Sequence, residues 1–504
     1  METGLTKNRI LSELSKSPHG VLKEYVSIGK QATAQEPEFM AHLIAWDRVK
    51  GQVRDAKVAL PVVSLTVPGF PEEFVDNSLA HLAMLGPREL LKAFRFVLEL
   101  KLPGRMRAVR RLIEAYLHER EVNYPKWERL AIQHRGTLRE LYALAHVKPA
   151  HEKVNVVLYG RSFDKVKVPY PAGSLFEAVA MLKDMSPVEA AGVIASRGIP
   201  FLIASGALGS KAKDPDLVLA LINRMSPTEL VTNTKMLEKL GVKTNPALRG
   251  AFEKALEKAS KSKANVLKTS RAAEAIEDEG LKEKLRGMQE RQIQALGGVD
   301  GNWLVLADRS GSMAETMEVA RTVSGTLAKL VKGKVWLVFF DTSPQTIDVT
   351  GLALDVIKKA TEHIRAGGGT SIGCGLQRMF DENVEVDGIA VISDAQENSP
   401  PFFADVYKRY SEKFGKEVPV YLYRTSKTMP YYADRDLAAS MKNIGLDIQE
   451  FDLSKTVDYY SLPNLVSTMR VSRYSLIDEV MATKLLKLSD VLKLEGKEVK
   501  AHVA

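Results

Sequence analysis

A chain of 504 residues with 45% apolar and 26% charged residues and a mean hydropathy near zero is long enough for two to four domains of about 150 residues, each with a full apolar core. No apolar run approaches the roughly 18 residues of a membrane helix, which argues against a membrane-spanning protein. The single cysteine, Cys374, excludes an internal disulfide, and the polar segment from Met1 to Lys16 lacks the apolar core of a secretory signal, so a reducing cytoplasm is the expected compartment.

The net charge of +9 is unevenly spread. From Gly301 onward 25 Lys and Arg face 27 Asp and Glu, which leaves 46 against 35 before that point. So basic a segment, with Arg runs interleaved with Trp, Tyr and His, is expected to attract a polyanion, RNA or DNA first among them.

Residues 1 to 297 read as helix after helix. Apolar residues recur at three and four, as in Met106, Val109, Ile113 and Tyr116. With that stripe buried, Arg107, Arg110 and Arg111 share the opposite face within one turn, where guanidinium groups fork onto phosphates. Further on, Arg129, His134 and Arg135 precede Thr137-Leu138-Arg139-Glu140, which reads as a capping box opening a short helix that ends before Pro149. His146 lies on the face of Arg139, with Lys148 just beyond. Met185-Ser186-Pro187-Val188-Glu189 and Met225-Ser226-Pro227-Thr228-Glu229 repeat one helix-start signal at an offset of 40 residues. A period near 40 in a helical region is that of paired-helix repeats of the HEAT type.

After Gly297-Gly298-Val299-Asp300-Gly301 the texture changes. Trp303 to Ala307, Val335 to Phe340, Gly388 to Ser393, Val418 to Tyr423 and Leu446 to Phe451 read as strands, separated by amphipathic segments such as Thr316 to Val331. Strands flanked by helices imply a doubly wound α/β sheet, Rossmann-like and mostly parallel. The tail from Ser475 reads as one amphipathic helix with Ile477, Val480, Met481, Leu485, Leu488 and Leu492 on one side. The expected partition is thus 1–297, 298–472 and 473–504.

The most specific constellation is Asp308-Arg309-Ser310-Gly311-Ser312, directly after the first strand. Ligands of open α/β sheets gather at the carboxyl ends of the strands. Asp308, Ser310 and Ser312 can turn one carboxylate and two hydroxyls to one point, and hard oxygens suit Mg²⁺ or Mn²⁺ rather than zinc. Thr370, in Gly367-Gly368-Gly369-Thr370, and Asp394, closing a strand, fit the same point.

Asp-x-Ser-x-Ser, a later Gly-Gly-Thr and a strand-ending Asp resemble the metal-ion-dependent adhesion site of von Willebrand factor A domains, over residues 300 to 470. The resemblance implies that Ser310 and Ser312 coordinate the ion directly, Asp308 and Asp394 often through water, Thr370 in either way, and that an acidic group of a partner takes an open position. In the helical half, Arg107 to Ile113, Leu138-Arg139-Glu140-Leu141 with Leu144-Ala145-His146-Val147-Lys148-Pro149, and Met225 to Leu230 with Asn233 and Met236 resemble the TROVE module of the Ro autoantigen family. A TROVE module before an A-type domain is the Ro domain order.

That resemblance implies an all-α ring of HEAT-like helical repeats closed by the A-type domain. It also implies a monomer that takes single-stranded 3′ ends of misfolded or structured RNAs through the ring, and small noncoding Y-type RNAs on its outer basic surface. RNA quality control or processing is the implied role, with an exoribonuclease as a candidate partner and no membrane. The family's Y RNA histidine falls on His146. Of its two upstream basic residues, one falls on Arg129 and the other on Gln133, where His134 or Arg135 stands beside the gap. No phosphate-binding loop, zinc cluster or nucleophile elbow points to an enzyme. The rival reading is an A-domain interaction scaffold working with a chaperone ATPase, which leaves the charge split and the His146 context unexplained.

Overall fold

The continuous apolar runs of the sequence form the middle of one sheet. In this computed structural model, residues 7, 10, 11, 14, 21–50, 54–102, 104–260, 269, 272–273, 275–295, 298–310, 316–365, 367–425, 435–446, 448–452 and 473–492 are described. Six strands among them, β1 (Trp303–Asp308), β2 (Val335–Phe340), β3 (Pro344–Asp348), β4 (Gly388–Ser393), β5 (Val420–Arg424) and β6 (Gln449–Asp452), lie in the order β3-β2-β1-β4-β5-β6. All neighbours are parallel except β2 and β3. Every residue of β1 and β4 is buried, the pattern of a parallel sheet covered on both faces.

Pleating sends alternate residues to opposite cores. Leu304, Leu306, Val338, Ile389, Val391 and Leu422 pack with Leu376 and Met379 of the helix Gly373–Asp381 and with Tyr407 and Tyr410 of the helix Phe403–Phe414. Gly375 permits that approach, since a Cβ there would lie 2.5 Å from Leu306 Cδ2. On the other face the helix Thr316–Leu330 sets its Arg321 over the Phe339 ring. Sequence and structure agree on β2 and β4 and differ by one to three residues at the ends of β1, β5 and β6. β3 is absent from the sequence reading. It is a short antiparallel edge strand whose residues are half-buried or exposed, so it carries no apolar signature.

The sheet belongs to a compact unit comprising Met1–Val67 and Ile293–Lys484. Within it the helix Glu24–Gln35 lies against Arg54–Ser64. Gly29 faces Val63 so closely that a Cβ would sit 2.9 Å from its Cγ1. The helix Arg473–Met481 packs on Pro37–Val49, where Trp46 Nε1 donates to Glu479 at 2.9 Å and His42 Nδ1 lies 2.7 Å from the carbonyl of Thr483. Contacts thus group residues 24–64 with the sheet, whereas the partition read from sequence sets them with the later helices.

The second unit comprises Pro68–Gln292 and Leu485–Ala504. Its described regular structure is helical, with helices packed in pairs, such as Met106–Glu121 on Tyr124–Ala145 and Pro187–Arg197 on Pro215–Ile222. Both repeated start signals are capping boxes. Ser186 accepts from the Glu189 amide and Ser226 from the Glu229 amide, and each Glu reaches back to the cap residue's own amide.

Two expectations are corrected. The helix break near Thr137 falls instead at His134 (φ −131°, ψ 20°), inside the segment Tyr124–Ala145. The two halves fold sharply back, because Tyr142 Oη donates to Glu121 at 2.6 Å although a straight helix from Tyr124 to Tyr142 would span about 27 Å. The tail is not one helix either: Arg473–Met481 ends, and a four-residue helix, Leu488–Val491, follows. Between them the amides of Leu486 and Leu488 donate to Asn77 and Asp76, at 2.9 and 3.0 Å, instead of continuing a helical ladder.

Candidate metal centre and basic helical surface

Two chain crossovers leave β1 and β4 adjacent, with β2 on the far side of β1 and β5 on the far side of β4. Such a reversal of winding opens a crevice at the carboxyl ends of the strands. β1 ends there on Asp308, and Asp394 follows the last residue of β4. Asp308 is fully buried. Its Oδ1 accepts from the Ser310 amide at 2.8 Å and its Oδ2 from the Ser393 hydroxyl at 2.6 Å, while Ser393 Oγ accepts from the Ala395 amide. Burial pushes the Asp308 carboxyl up to about 6 against the pull of these hydrogen bonds, and the charge of Asp394 adds to the rise. Burial also raises Asp394.

Three loops are tied together around these carboxylates. The Gly367 amide donates to the Arg309 carbonyl at 2.7 Å, bringing the Gly-Gly-Gly-Thr loop to the first loop. The Thr370 amide donates to Asn398 Oδ1 at 2.8 Å, and the Thr370 carbonyl accepts from the amides of Asn398 and Ser399. Gly368 has φ +86°, and a Cβ there would meet Asp341 at 3.1 Å, so glycine suits both the backbone and the space. Asp341 itself pairs with Arg309 at 2.6 Å. Ser310 and Thr370 are buried in these loops. Ser312 lies outside the described residues.

This donor set fits a hard divalent cation. It offers carboxylate and hydroxyl oxygens, and its two carboxylates are held uncomfortably for anions by burial, which a cation would relieve. Of the neighbouring guanidinium groups, Arg309 pairs with Asp341, whereas Arg424 pairs with Asp436 at 2.7 Å and Glu450 at 3.2 Å and also donates to the Asp394 carbonyl at 3.0 Å. Among the described residues no three His, Cys, Asp or Glu are grouped to hold a metal, so a site here depends on hydroxyl ligands.

Sequence reasoning missed the residues that brace the loops. Asn398 is one. Glu397, 2% exposed, is another: it accepts from the Gly373 and Phe403 amides at 3.1 and 3.0 Å and so caps two helices, and burial pushes its carboxyl up to about 7. Neither carries a local signal. Cys374 is buried and its thiol is pushed up to about 12 by that burial, which makes it inert as a nucleophile.

In the helical unit, Met106–Glu121 buries Val109, Leu112, Ile113, Tyr116 and Leu117 and leaves Arg107, Arg110 and Arg111 exposed on one turn. His146 is exposed at the C-cap of its helix with φ 58°. The loop after it is fastened to the end of Met106–Glu121. His118 Nε2 lies 2.9 Å from the Lys148 carbonyl, and the buried Glu121 accepts from the amides of Ala150 and His151 as well as from Tyr142. His146 and Lys148 therefore gather near that helix's C-terminal end, and the three arginines lie toward its N-terminal end, about 10 Å or more along the axis. Arg129 and Arg139 are exposed. The other two candidates turn inward: Arg135 donates to Tyr170 Oη at 2.8 Å, and His134 is half-buried with Nδ1 unpaired, its basicity lowered by burial and by Arg88.

The fold defines a class: a helical module together with a doubly wound α/β domain of the von Willebrand factor A type. No protein-family model matches the sequence, and no curated protein matches it. Among solved structures the chain is similar to the crystal structure of the Ro (RSR) protein of Deinococcus radiodurans, with a TM-score of 0.66 and 15% sequence identity, over 92% of this chain and 99% of that one. It thus has the fold of a Ro protein. No helix among the described residues is long and apolar enough to cross a membrane.

Proposed function

We propose that this protein is a Ro-type RNA-binding protein, acting in RNA quality control or processing rather than in catalysis. The observation that carries the reading is the turn of exposed guanidinium groups, Arg107, Arg110 and Arg111, within a helical module of a Ro-type fold. Arg and Lys on phosphates supply affinity without reading sequence, which suits a protein that samples varied RNAs. The RNA surface comprises Arg107, Arg110, Arg111, Arg129, Arg139, His146 and Lys148, with His134 and Arg135 shaping it from beneath. Its ligands are small noncoding Y-type RNAs and single-stranded 3′ ends, and an exoribonuclease is a candidate partner.

Asp308, Ser310, Ser312, Thr370 and Asp394 are the proposed holders of Mg²⁺ or Mn²⁺. Such an ion supplies a Lewis-acidic anchor for an acidic group of a partner. The residues of this chain fix the three loops around it. Fluorescence anisotropy tests the reading, with one duplex prepared blunt, with a 3′ single-stranded tail and with a 5′ tail, at several salt concentrations. A salt-dependent preference for the 3′ tail is expected. Equal, weak binding of all three would overturn it and favour the A-domain scaffold.

A further inference from the structure

Between the helices Glu152–Tyr159 and Leu175–Met181 the chain makes a hairpin that the proposed function leaves unused. Arg161 and Lys167 form an antiparallel bridge. Inside it the Ser162 amide donates to the Val166 carbonyl at 2.9 Å. The loop Phe163-Asp164-Lys165 ends on Lys165 at φ 64°, the left-handed position that three-residue hairpin loops use.

The hairpin is braced. Asn155 Nδ2 donates to the carbonyls of Arg161 and Ser162 at 2.8 and 3.1 Å, and the Phe163 amide donates to Glu152 Oε1 at 3.3 Å. At its foot Arg135 holds Tyr170, and Arg139 acts electrostatically on Tyr159. The helix that leads into the hairpin packs on Tyr124–Ala145, the segment that carries the exposed Arg139.

On this fixed frame Phe163 is 51% exposed. Single exposed apolar residues are ordinary, but the company of this one is not. Arg161 and Lys167 are both exposed and stand directly opposite each other, and among the described residues no ion pair involves either. Like charges across a bridge destabilise a hairpin. Lys165 adds a third cation at the loop. Of the nearby carboxylates, Asp164 is at the tip and Glu152 is taken by the Phe163 amide. An arrangement that costs folding energy and gains once an anion arrives is a binding device, and an exposed aromatic ring on a hairpin that carries three cations suits an unstacked base flanked by phosphates.

We propose that residues 160–168 form a base-stacking platform, in which Phe163 stacks one unpaired base of single-stranded RNA and Arg161 and Lys167 hold its flanking phosphates. This rests on the RNA-binding reading and adds to it a contact with bases.

The test uses the full chain and two labelled probes, a short oligouridylate and an abasic ribose-phosphate strand of equal length. Phe163→Ala is expected to weaken oligouridylate binding about tenfold and to leave the abasic strand unaffected. Phe163→Trp is expected to retain affinity, with its emission quenched by oligouridylate only. Arg161→Gln combined with Lys167→Gln is expected to weaken both probes and to lower the salt slope by about 1.4. If Phe163→Ala changes nothing while Arg107→Glu with Arg111→Glu abolishes binding, the platform is refuted and the RNA reading stands. If the unaltered protein binds neither probe, both fall. Quenching of Trp at position 163 by anionic vesicles and not by oligouridylate would assign the hairpin to a membrane surface and overturn the platform.

Discussion

Replacing Glu121 with alanine probes how the helical unit holds its basic loop. The carboxylate is 1% exposed and accepts from Tyr142 Oη at 2.6 Å, the Ala150 amide at 2.8 Å and the His151 amide at 3.0 Å. Tyr142 is fully buried, so its hydroxyl would be left without an acceptor, at a cost of about 1–3 kcal/mol. Ala150 and His151 are exposed, so their amides would turn to water and lose about 1 kcal/mol each. The sum is about 3–5 kcal/mol of unfolding free energy, read from urea denaturation. Tyr142→Phe, which removes one donor and leaves the carboxylate two, should cost about 1–2 kcal/mol, and the double variant should cost less than the sum because the residues share a bond. Glu121→Ala should also loosen the loop carrying His146 and Lys148, so RNA affinity should fall in conditions where the variant remains folded. A loss of stability below about 1 kcal/mol would refute the claim that this carboxylate fastens the loop.

Other outcomes follow from the same structure. Asp47 is buried with Oδ2 unpaired, and burial pushes its carboxyl up to about 7. The unfolded chain ionises first, so this group's contribution is complete below about pH 4 and is lost as pH rises to about 7. The loss is about 4 kcal/mol, and Asp47→Asn should flatten the urea-stability profile by about 2–3 kcal/mol between about pH 5 and about pH 8; parallel profiles would contradict this. Asp308→Ala should eliminate the heat of Mg²⁺ or Mn²⁺ binding in titration calorimetry, and undiminished heats would place the ion elsewhere. Arg107→Glu with Arg111→Glu should weaken binding of single-stranded RNA and lower its salt slope by about 1.4, with an unchanged circular dichroism spectrum; unaltered affinity would remove those residues from the RNA surface.

What the sequence disclosed depended on how far each signal was local. β1 and β4 were legible because burial on both faces makes their residues apolar without interruption, whereas β3, Pro-Gln-Thr-Ile-Asp, is defined by its pairing with β2 and has no such pattern. Ser186 and Ser226 announced helix starts because a capping box is complete within four residues. The break at His134 was displaced to Thr137 because it is imposed by a distant partner: Tyr142 folds back to reach Glu121. At the proposed metal centre Asp308, Thr370 and Asp394 are picked out by strand ends and glycines. Asn398, Glu397 and Asp341 are not, since each works by accepting from, or pairing with, groups remote in sequence. Arg135 shows the complementary limit: basic residues are visible in a sequence, but whether they face water or hold Tyr170 is decided by packing.

The helix that carries Trp46 is sealed by a residue that the ribosome reaches very late. Trp46 and Glu479, bonded at 2.9 Å, are 433 residues apart. At about 5–20 residues per second, roughly 20 to 90 s of synthesis separate them. During that interval the apolar face of Pro37–Val49 is made before the helix that covers it, and Asp76 and Asn77 likewise wait for the amides of Leu488 and Leu486. Truncation before Arg473 removes the helix that covers Pro37–Val49 and leaves its apolar face open.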